Sequence, residues 1–500
     1  MDSPPQSLTQ GSPRLTPVGA AEVIIALVVG GWFLKLLYTA LTSPLKHLRG
    51  PWYTRFTHLR LKLAVVTGQR IFYIDDLHKR YGPVVRLTPT EVAIADVESF
   101  QQIHKVGTRF LKSDWYQRLA NFPKPGVFSM VDAKEHGYRR RLLSRPFSRT
   151  HLVEHWELVV KAKAELCIAK IKAEAKEGKA DVFKWWMLLA SDIIGHISFG
   201  ESFHVLETGE KTKFHRVLEK LTKGAGITVE MPLLRILSFV PIAGLQEMFN
   251  ANQYILESAD RAVELAHSAS GEANIFARML ADAEKDEGHM DDMDVRVEAM
   301  NFIIAGTDTT GSTLTYLVWA VLSRPALQQE LEEEVSRLPA NYRDSDMLAL
   351  PLLNATIDET LRLYGAAPSS LPRVVPQGGA TLSGQFIPEG TTVCTQAYTL
   401  HRDPTIWHDP LTFDPTRWLP GKEMPQAAKI AFHPFGAGAR ICAGIHLARM
   451  ELRHAVAEFF RECRGIKLCR SVTPESMEII NFFLIAPKGH KCEITLRSDK

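Results

Sequence analysis

At 500 residues, with 45% hydrophobic and 23% charged side chains, the chain has ordinary globular composition and enough length for a large core. Disordered, collagen-like and low-complexity classes are excluded, because they need extreme Gly and Pro content or low hydrophobicity with high net charge. The 59 basic and 56 acidic residues leave +3, which gives no reason to expect a nucleic-acid partner. Six cysteines without a C-x-x-C pair rule out a disulfide framework and a zinc finger, and fit a reducing compartment.

From Val23 to Leu41 the chain reads VIIALVVGGWFLKLLYTAL, close to the length of a bilayer-spanning helix. Its one charge, Lys35, stands near the C-terminal end, where the ammonium can snorkel, and Trp32 and Tyr38 supply interfacial aromatics. A cleaved signal peptide would want a basic n-region and a shorter apolar block. Arg14 alone precedes the run, while Lys46, Arg49, Arg55 and Arg60 follow it. The flanking cations therefore predict a luminal residue 1–22 segment and a cytosolic C-terminal bulk. Ser43-Pro44-Leu45 and Gly50-Pro51-Trp52 predict a stiff hinge over residues 42–55, and one domain follows over residues 56–500.

Within that domain, Val84 to Ile94 alternates like a hairpin with Thr88-Pro89-Thr90 at the turn. His151–Lys179, Asp181–Phe199 and Phe214–Leu221 have helical periodicity. Met231–Phe249 carries Pro232 and Pro241, which limit it to short pieces, and the acidic stretch Asp282–Asp294 reads as a solvated loop. The longest helical signal is Asp291–Ser323, acidic at its start and ended by Arg324-Pro325. Gln328–Leu338 and Leu352–Leu363 are amphipathic, Arg373–Val393 predicts a small sheet, and a loop-rich stretch, Thr399–Gly438, leads to a helix over Ala443–Cys463. The class is mainly α with one small β region.

Phe435-Gly436-Ala437-Gly438-Ala439-Arg440-Ile441-Cys442-Ala443-Gly444 carries the chemistry. Gly436 and Gly438 let the backbone turn tightly and approach a flat ligand. Cys442 at a helix start, with Arg440 beside it, predicts a thiol of low pKa. Gly306 and Gly311, inside the longest helix, each cost about 1 kcal/mol relative to Ala, and point either to close helix packing or, given the cysteine segment, to room for a ligand beside the backbone. Glu359-Thr360-Leu361-Arg362 puts an acid and a base one helical turn apart.

The cysteine segment fills every fixed position of F-x-x-G-x-R-x-C-x-G, and Leu447, Ala448 and Glu451 continue it. It resembles the ligand signature of the haem-thiolate monooxygenases, the cytochrome P-450 family, and the resemblance runs from the hinge to the C-terminus. It implies the family's triangular helical domain with a small β region, haem b as cofactor, and NADPH used indirectly through a cytochrome P-450 reductase. Cys442 is implied as the axial ligand of haem iron, with Phe435 packed beside the sulfur and Gly436 against the ring. Arg440, Arg373 of Leu371-Pro372-Arg373, and Arg140 with His136 of His136-Gly137-Tyr138-Arg139-Arg140 are implied as partners of the haem propionates. In the family pattern a tryptophan stands where this chain has His136. The Arg139–Arg145 cluster reads equally as a basic docking face for an electron donor. Glu359, Arg362 and Arg417 of Phe413-Asp414-Pro415-Thr416-Arg417-Trp418 are implied as a buried structural network.

By the same resemblance, Ala305-Gly306-Thr307-Asp308-Thr309-Thr310 is the oxygen-binding groove, and Asp308 and Thr309 are the acid–alcohol pair that delivers protons. Implied pocket walls are Trp115–Met130, Phe302, Ile303, Ala366–Leu371 and Asn481–Leu484, with Asn481, Ser369 and Ser370 as polar contacts to a small apolar substrate. Anchor, hinge and late Phe483–Gly489 segment resemble single-pass endoplasmic-reticulum members from fungi that oxidise polyketides and terpenoids in mycotoxin-like pathways. A haem-thiolate isomerase, dehydratase or oxidative ring-forming enzyme is the alternative, and those relatives generally lack the Asp308–Thr309 type of pair. A scaffold without cofactor leaves the cysteine motif unexplained.

Overall fold

The computed structural model describes residues 17–231, 254, 256, 259–268, 274–285 and 290–496. The proline-bearing stretch 232–249 lies outside them. The first helix, Pro17–Thr42, is longer than the apolar run. Its Glu22–Thr42 part has mean hydropathy 2.0, is 6% buried, and is long and apolar enough to cross a membrane.

After this helix the chain turns through a short 3-10 segment, Trp52–Arg55, and lies against strand β1, Val84–Arg86. The side chain of Arg86 is buried under it. Its Nε donates to Thr54 Oγ1 (3.1 Å), and its Nη atoms donate to the carbonyls of Leu45 (3.1 Å), Leu48 (2.6 Å) and Pro51 (3.4 Å). One guanidinium thus collects four acceptors from the residues that follow the first helix. Gly50 is needed there, since a Cβ would stand 2.7 Å from the Arg86 carbonyl oxygen.

β1 pairs antiparallel with β2, Glu91–Ile94, in the register Val84↔Ile94. Three more strands, β3 (Leu111–Lys112), β4 (Arg373–Val374) and β5 (Thr392–Cys394), complete a five-stranded sheet in the order β1-β2-β5-β4-β3, with only β2 and β5 parallel. The small sheet region therefore joins both ends of the chain's middle, and it places Lys112 directly across from Arg373.

Helices form the rest. Val182–Phe199 is buried nearly all round, as expected of a helix without a polar stripe. It packs on one side against Asp292–Leu322, the longest helix, and on the other against Glu157–Glu177, which in turn meets Ile445–Glu462. The long helix begins where its caps dictate: Asp291 accepts from the Asp294 N–H, and Asp294 reciprocates. Asp282–Asp294 is thus not a loop at either end, because Ile275–Lys285 is helical and Asp291 is a cap. The helix read over His151–Lys179 is two, Arg149–His155 and Glu157–Glu177, with the break at Trp156 (φ −122°, ψ −15°).

Candidate active site

A cavity opens between the cysteine loop and the long helix, with about 390 Å³ of space open to the centre of a water molecule. Cys442 lines it, two residues before Gly444, which caps the helix Ile445–Glu462. The loop closes on itself through the Cys442 N–H, which donates to the Phe435 carbonyl at 2.9 Å. Gly436 (φ +75°) faces the cavity, but Gly438 (φ +63°) serves packing: a Cβ there would meet the His104 carbonyl oxygen at 1.8 Å. The side chain of Cys442 is exposed to the cavity. Desolvation by the surrounding walls pushes the free thiol up, against the Gly444 N–H and the Arg140 cation, which favour thiolate. The low pKa expected from the helix start is therefore reversed by desolvation. A coordinated metal ion, rather than the loop alone, would deprotonate it.

Arg440, Arg373, Arg140 and His136 converge on the same cavity, and Lys112 joins them. Their polar partners are uncharged. Arg440 donates to the carbonyls of Met130 (2.7 Å) and Val131 (3.0 Å), Arg140 to that of Cys442 (3.4 Å), and Lys112 to that of Phe128. Arg373 donates to the Tyr116 hydroxyl at 3.4 Å. Burial, together with the neighbouring cations, pushes Lys112 well below its usual value and His136 down to about 3. Like charges opposite each other on a ladder are destabilising, and Lys112 and Arg373 are cross-strand partners. Among the described residues no carboxylate forms an ion pair with any of the five. A dianion such as the two propionates of haem fits this set, with Cys442 as the one soft ligand on the cavity wall. Lys112 was invisible in sequence: no motif surrounds it, and only the pairing of β3 with β4 brings it to the site.

Arg139 departs from the docking-face reading. It is buried, and it pairs with Asp294 (2.9 Å) and Glu298 (3.3 Å) of the long helix. Arg141 on the same helix, Ala133–Ser144, and Arg145 at its C-terminal cap are exposed.

Ala305, Gly306 and Thr309 line the cavity, and the Thr309 hydroxyl donates to the Ala305 carbonyl at 2.6 Å. Asp308 is half-buried and lies outside the cavity wall. Close helix packing accounts for Gly311, which does not line the cavity, and acts together with cavity lining at Gly306. A Cβ on Gly306 would meet Ile194 at 2.7 Å, and one on Gly311 would meet Met187 Sδ at 2.6 Å. Both let the long helix pack on Val182–Phe199. On the same cavity wall, Thr310 hydrogen-bonds the carboxyl of Glu451, which burial pushes well above the usual range.

Glu359, Arg362 and Arg417 meet in one closed network. Arg362 donates to both Glu359 oxygens (2.8 and 2.7 Å) and to the carbonyls of His401, Pro410 and Thr412. Arg417 Nε (3.1 Å), Trp418 Nε1 (2.9 Å) and the Asp414 N–H (2.9 Å) complete the carboxylate.

The remaining walls are Phe122, Val127, Phe128, Phe302, Ala366, Leu371, Phe483 and Leu484, with Ala225 from the helix Lys213–Glu230. Ile303, Ser370 and Asn481 do not line this cavity. Asn481 instead accepts from Ser369 (2.9 Å) and donates to the Phe483 carbonyl (3.1 Å), so it shapes the wall from behind. Asn301, unmarked in sequence, does line it.

A helical body with a lone cavity-facing cysteine, an acid-free cluster of cations and a groove along the longest helix defines a haem-thiolate protein. Residues 49–494 match the cytochrome P-450 family model, and the chain belongs to that family of monooxygenases. It is 40% identical over 505 residues to the cytochrome P-450 monooxygenase cypX of Dothistroma septosporum, covering 98% of each chain. It is also 41% identical over 462 residues to the monooxygenase stcB of Emericella nidulans (91% of this chain, 89% of that one). The methylphloroacetophenone oxidase of Cladonia uncialis is 33% identical over 416 residues (79% and 89%).

Proposed function

We propose that this chain is a membrane-anchored monooxygenase that takes electrons from an NADPH-dependent reductase. It inserts one oxygen atom of O₂ into an apolar, ring-containing intermediate of fungal polyketide-type secondary metabolism. Relatives named as fungal monooxygenases, one of them an oxidase of a phenolic aryl ketone by name, support the substrate class. The apolar first helix and the cations that follow it support a single-pass anchor in the endoplasmic reticulum, with residues 1–22 luminal and residues 56–500 cytosolic.

In this reading Cys442 holds the haem iron, and Phe435 packs beside it. Arg440, Arg373, Arg140, His136 and Lys112 hold the propionates. Haem with a thiolate ligand supplies O–O bond cleavage. The protein supplies the rest. Ala305 and Gly306 leave the groove open, and the Thr309 hydroxyl, whose hydrogen is given to the Ala305 carbonyl, offers its oxygen as the acceptor that would hold a proton-carrying water in the groove. Asp308, half-buried, connects that hydroxyl to solvent protons. The apolar walls exclude bulk water, and Glu359, Arg362 and Arg417 fix the helix and loop beneath the cysteine segment.

The observation that carries the proposal is the convergence of Cys442, five nitrogen groups without an acid, and the Ala305–Thr309 groove on one cavity. Carbon monoxide added to the reduced protein should give the thiolate-type Soret band, and Cys442→Ala should lose it. Persistence of that band in the variant would overturn the ligand assignment. Thr309→Ala should keep haem but form at least about tenfold less product per NADPH, the balance leaving as hydrogen peroxide. Unchanged coupling would remove Thr309 from proton delivery, and turnover without a reductase would overturn the monooxygenase reading.

A further inference from the structure

Besides the cations, Asn301, Thr309, Thr310, Thr313, Ser369 and Glu451 bring polar groups to the cavity. The hydroxyls among them are occupied. Thr309 donates to the Ala305 carbonyl, Thr313 to the Thr309 carbonyl and Thr310 to Glu451, and Ser369 Oγ is held by Asn481 Oδ1 and the Phe483 carbonyl, each at 2.9 Å. Asn301 is different, because only half of its amide is in use. Nδ2 points to Glu298 Oε2 at 3.5 Å, and the backbone of Gly126 presses on the same atom, since a Cβ there would stand 2.1 Å from it. Glu298 in turn is fixed from two sides, by the Val127 N–H (2.8 Å) and by Arg139 Nη1 (3.3 Å). One N–H of the amide is thereby used on the carboxylate, and the amide oxygen is left to accept.

We infer that Asn301 Oδ1 is the acceptor by which this cavity recognises a hydroxyl group on its substrate, which is therefore an apolar ring system bearing an O–H donor. The inference deepens the monooxygenase reading and rests on it for the existence of a substrate. Two features make the amide a selector rather than a filler. Flipping the amide to present Nδ2 to a substrate carbonyl would turn Oδ1 against the Glu298 carboxyl group, so the site favours donors over acceptors. An amide oxygen covered by a purely hydrocarbon ligand would be desolvated without a partner, which costs about 1–3 kcal/mol. Geometry adds a constraint on where oxidation falls. Asn301 lies one helical turn before Ala305 and two before Thr309, about 6 Å and 12 Å along the axis. The hydroxyl that is recognised and the carbon that is oxidised therefore lie on separate parts of the substrate.

A matched set of probes tests this: 2-naphthol, 2-methoxynaphthalene, in which the donor is blocked, and naphthalene. Binding to the haem-loaded full chain is measured by equilibrium dialysis. The wild type should bind 2-naphthol about tenfold more tightly than either analogue, a ratio that corresponds to the net value of one satisfied hydrogen bond. Asn301→Leu, similar in volume, should bring the ratio to near one by weakening naphthol alone, and Asn301→Asp, which keeps an acceptor, should retain the preference. A wild-type ratio near one, or an undiminished ratio in Asn301→Leu, overturns the inference. Should the leucine variant fail to load haem, Asn301→Ala makes the same comparison. The reduced carbon monoxide spectrum of the wild type separates the two failures. Without the thiolate band the functional reading falls, whereas with the band and no hydroxyl preference only the role of Asn301 falls.

Discussion

Two sets of buried cations in this molecule have opposite bookkeeping. Around Glu359 the charges are closed: Arg362 is fully buried and Arg417 nearly so, both carboxylate oxygens are filled, and the surplus N–H groups end on carbonyls. Around the cavity the charges are open. Lys112, Arg140, Arg373 and Arg440 face one another with carbonyls and a tyrosine for company. A buried charge without a partner is costly, so the first set reads as architecture and the second as a receptor for something anionic. The lesson is that a count of buried arginines does not separate fold from function, but the presence of an acid among them does.

The sharpest way to break that contrast is Arg362→Ala. It leaves Glu359 desolvated against Arg417 alone, and it should cost about 3–5 kcal/mol. The expected outcome is loss of soluble protein with and without haem, checked by expression yield and thermal melting. Normal expression with only activity lost would contradict a structural role.

Lys112→Met is the counterpart with a smaller and differently placed effect. It removes a desolvated charge and also a donor to the Phe128 carbonyl, two terms that oppose each other in the haem-free chain. Haem-free stability should therefore change by less than about 1 kcal/mol at neutral pH. Haem transfer to an acceptor protein should quicken about fivefold, because a charge-assisted contact is gone. The sign with pH follows from a folded lysine pKa held below its ordinary 10.5. Wild-type stability gains as pH rises toward that value, so any advantage of the variant shrinks on the alkaline side. Equal losses in the haem-free and haem-loaded forms would show that Lys112 belongs with the structural set.

Much of this was legible in the residues. The ten-residue cysteine segment names its own chemistry, and Asp291 with Asp294 marks the start of the long helix through local capping alone. The hairpin Val84–Ile94 and the helix after Asp181 are likewise local facts. What escaped was set by partners far along the chain. Lys112 acquires its meaning from Arg373, which it meets only through strand pairing. Gly306 lines the cavity as its motif suggests but also answers to Ile194 on another helix, and Gly311 answers to Met187 there alone. The thiol of Cys442 rises rather than falls because a wall assembled from several elements takes water away from it. Asn301 is one asparagine on a long helix until Gly126 and Glu298 use up half of its amide.

Arg86 has a consequence that belongs to the order of synthesis. The carbonyls of Leu45, Leu48 and Pro51 emerge from the ribosome 41, 38 and 35 residues ahead of the guanidinium that gathers them. While that stretch is still incomplete, the segment after the first helix has nothing to close upon and behaves as a loose tether. It stiffens when β1 takes its place beside β2 and carries Arg86 beneath it. The first hairpin thus sets the moment at which the body acquires a fixed attitude to its leading helix. A chain that registers the hairpin wrongly keeps a slack joint however well the haem-binding half is made.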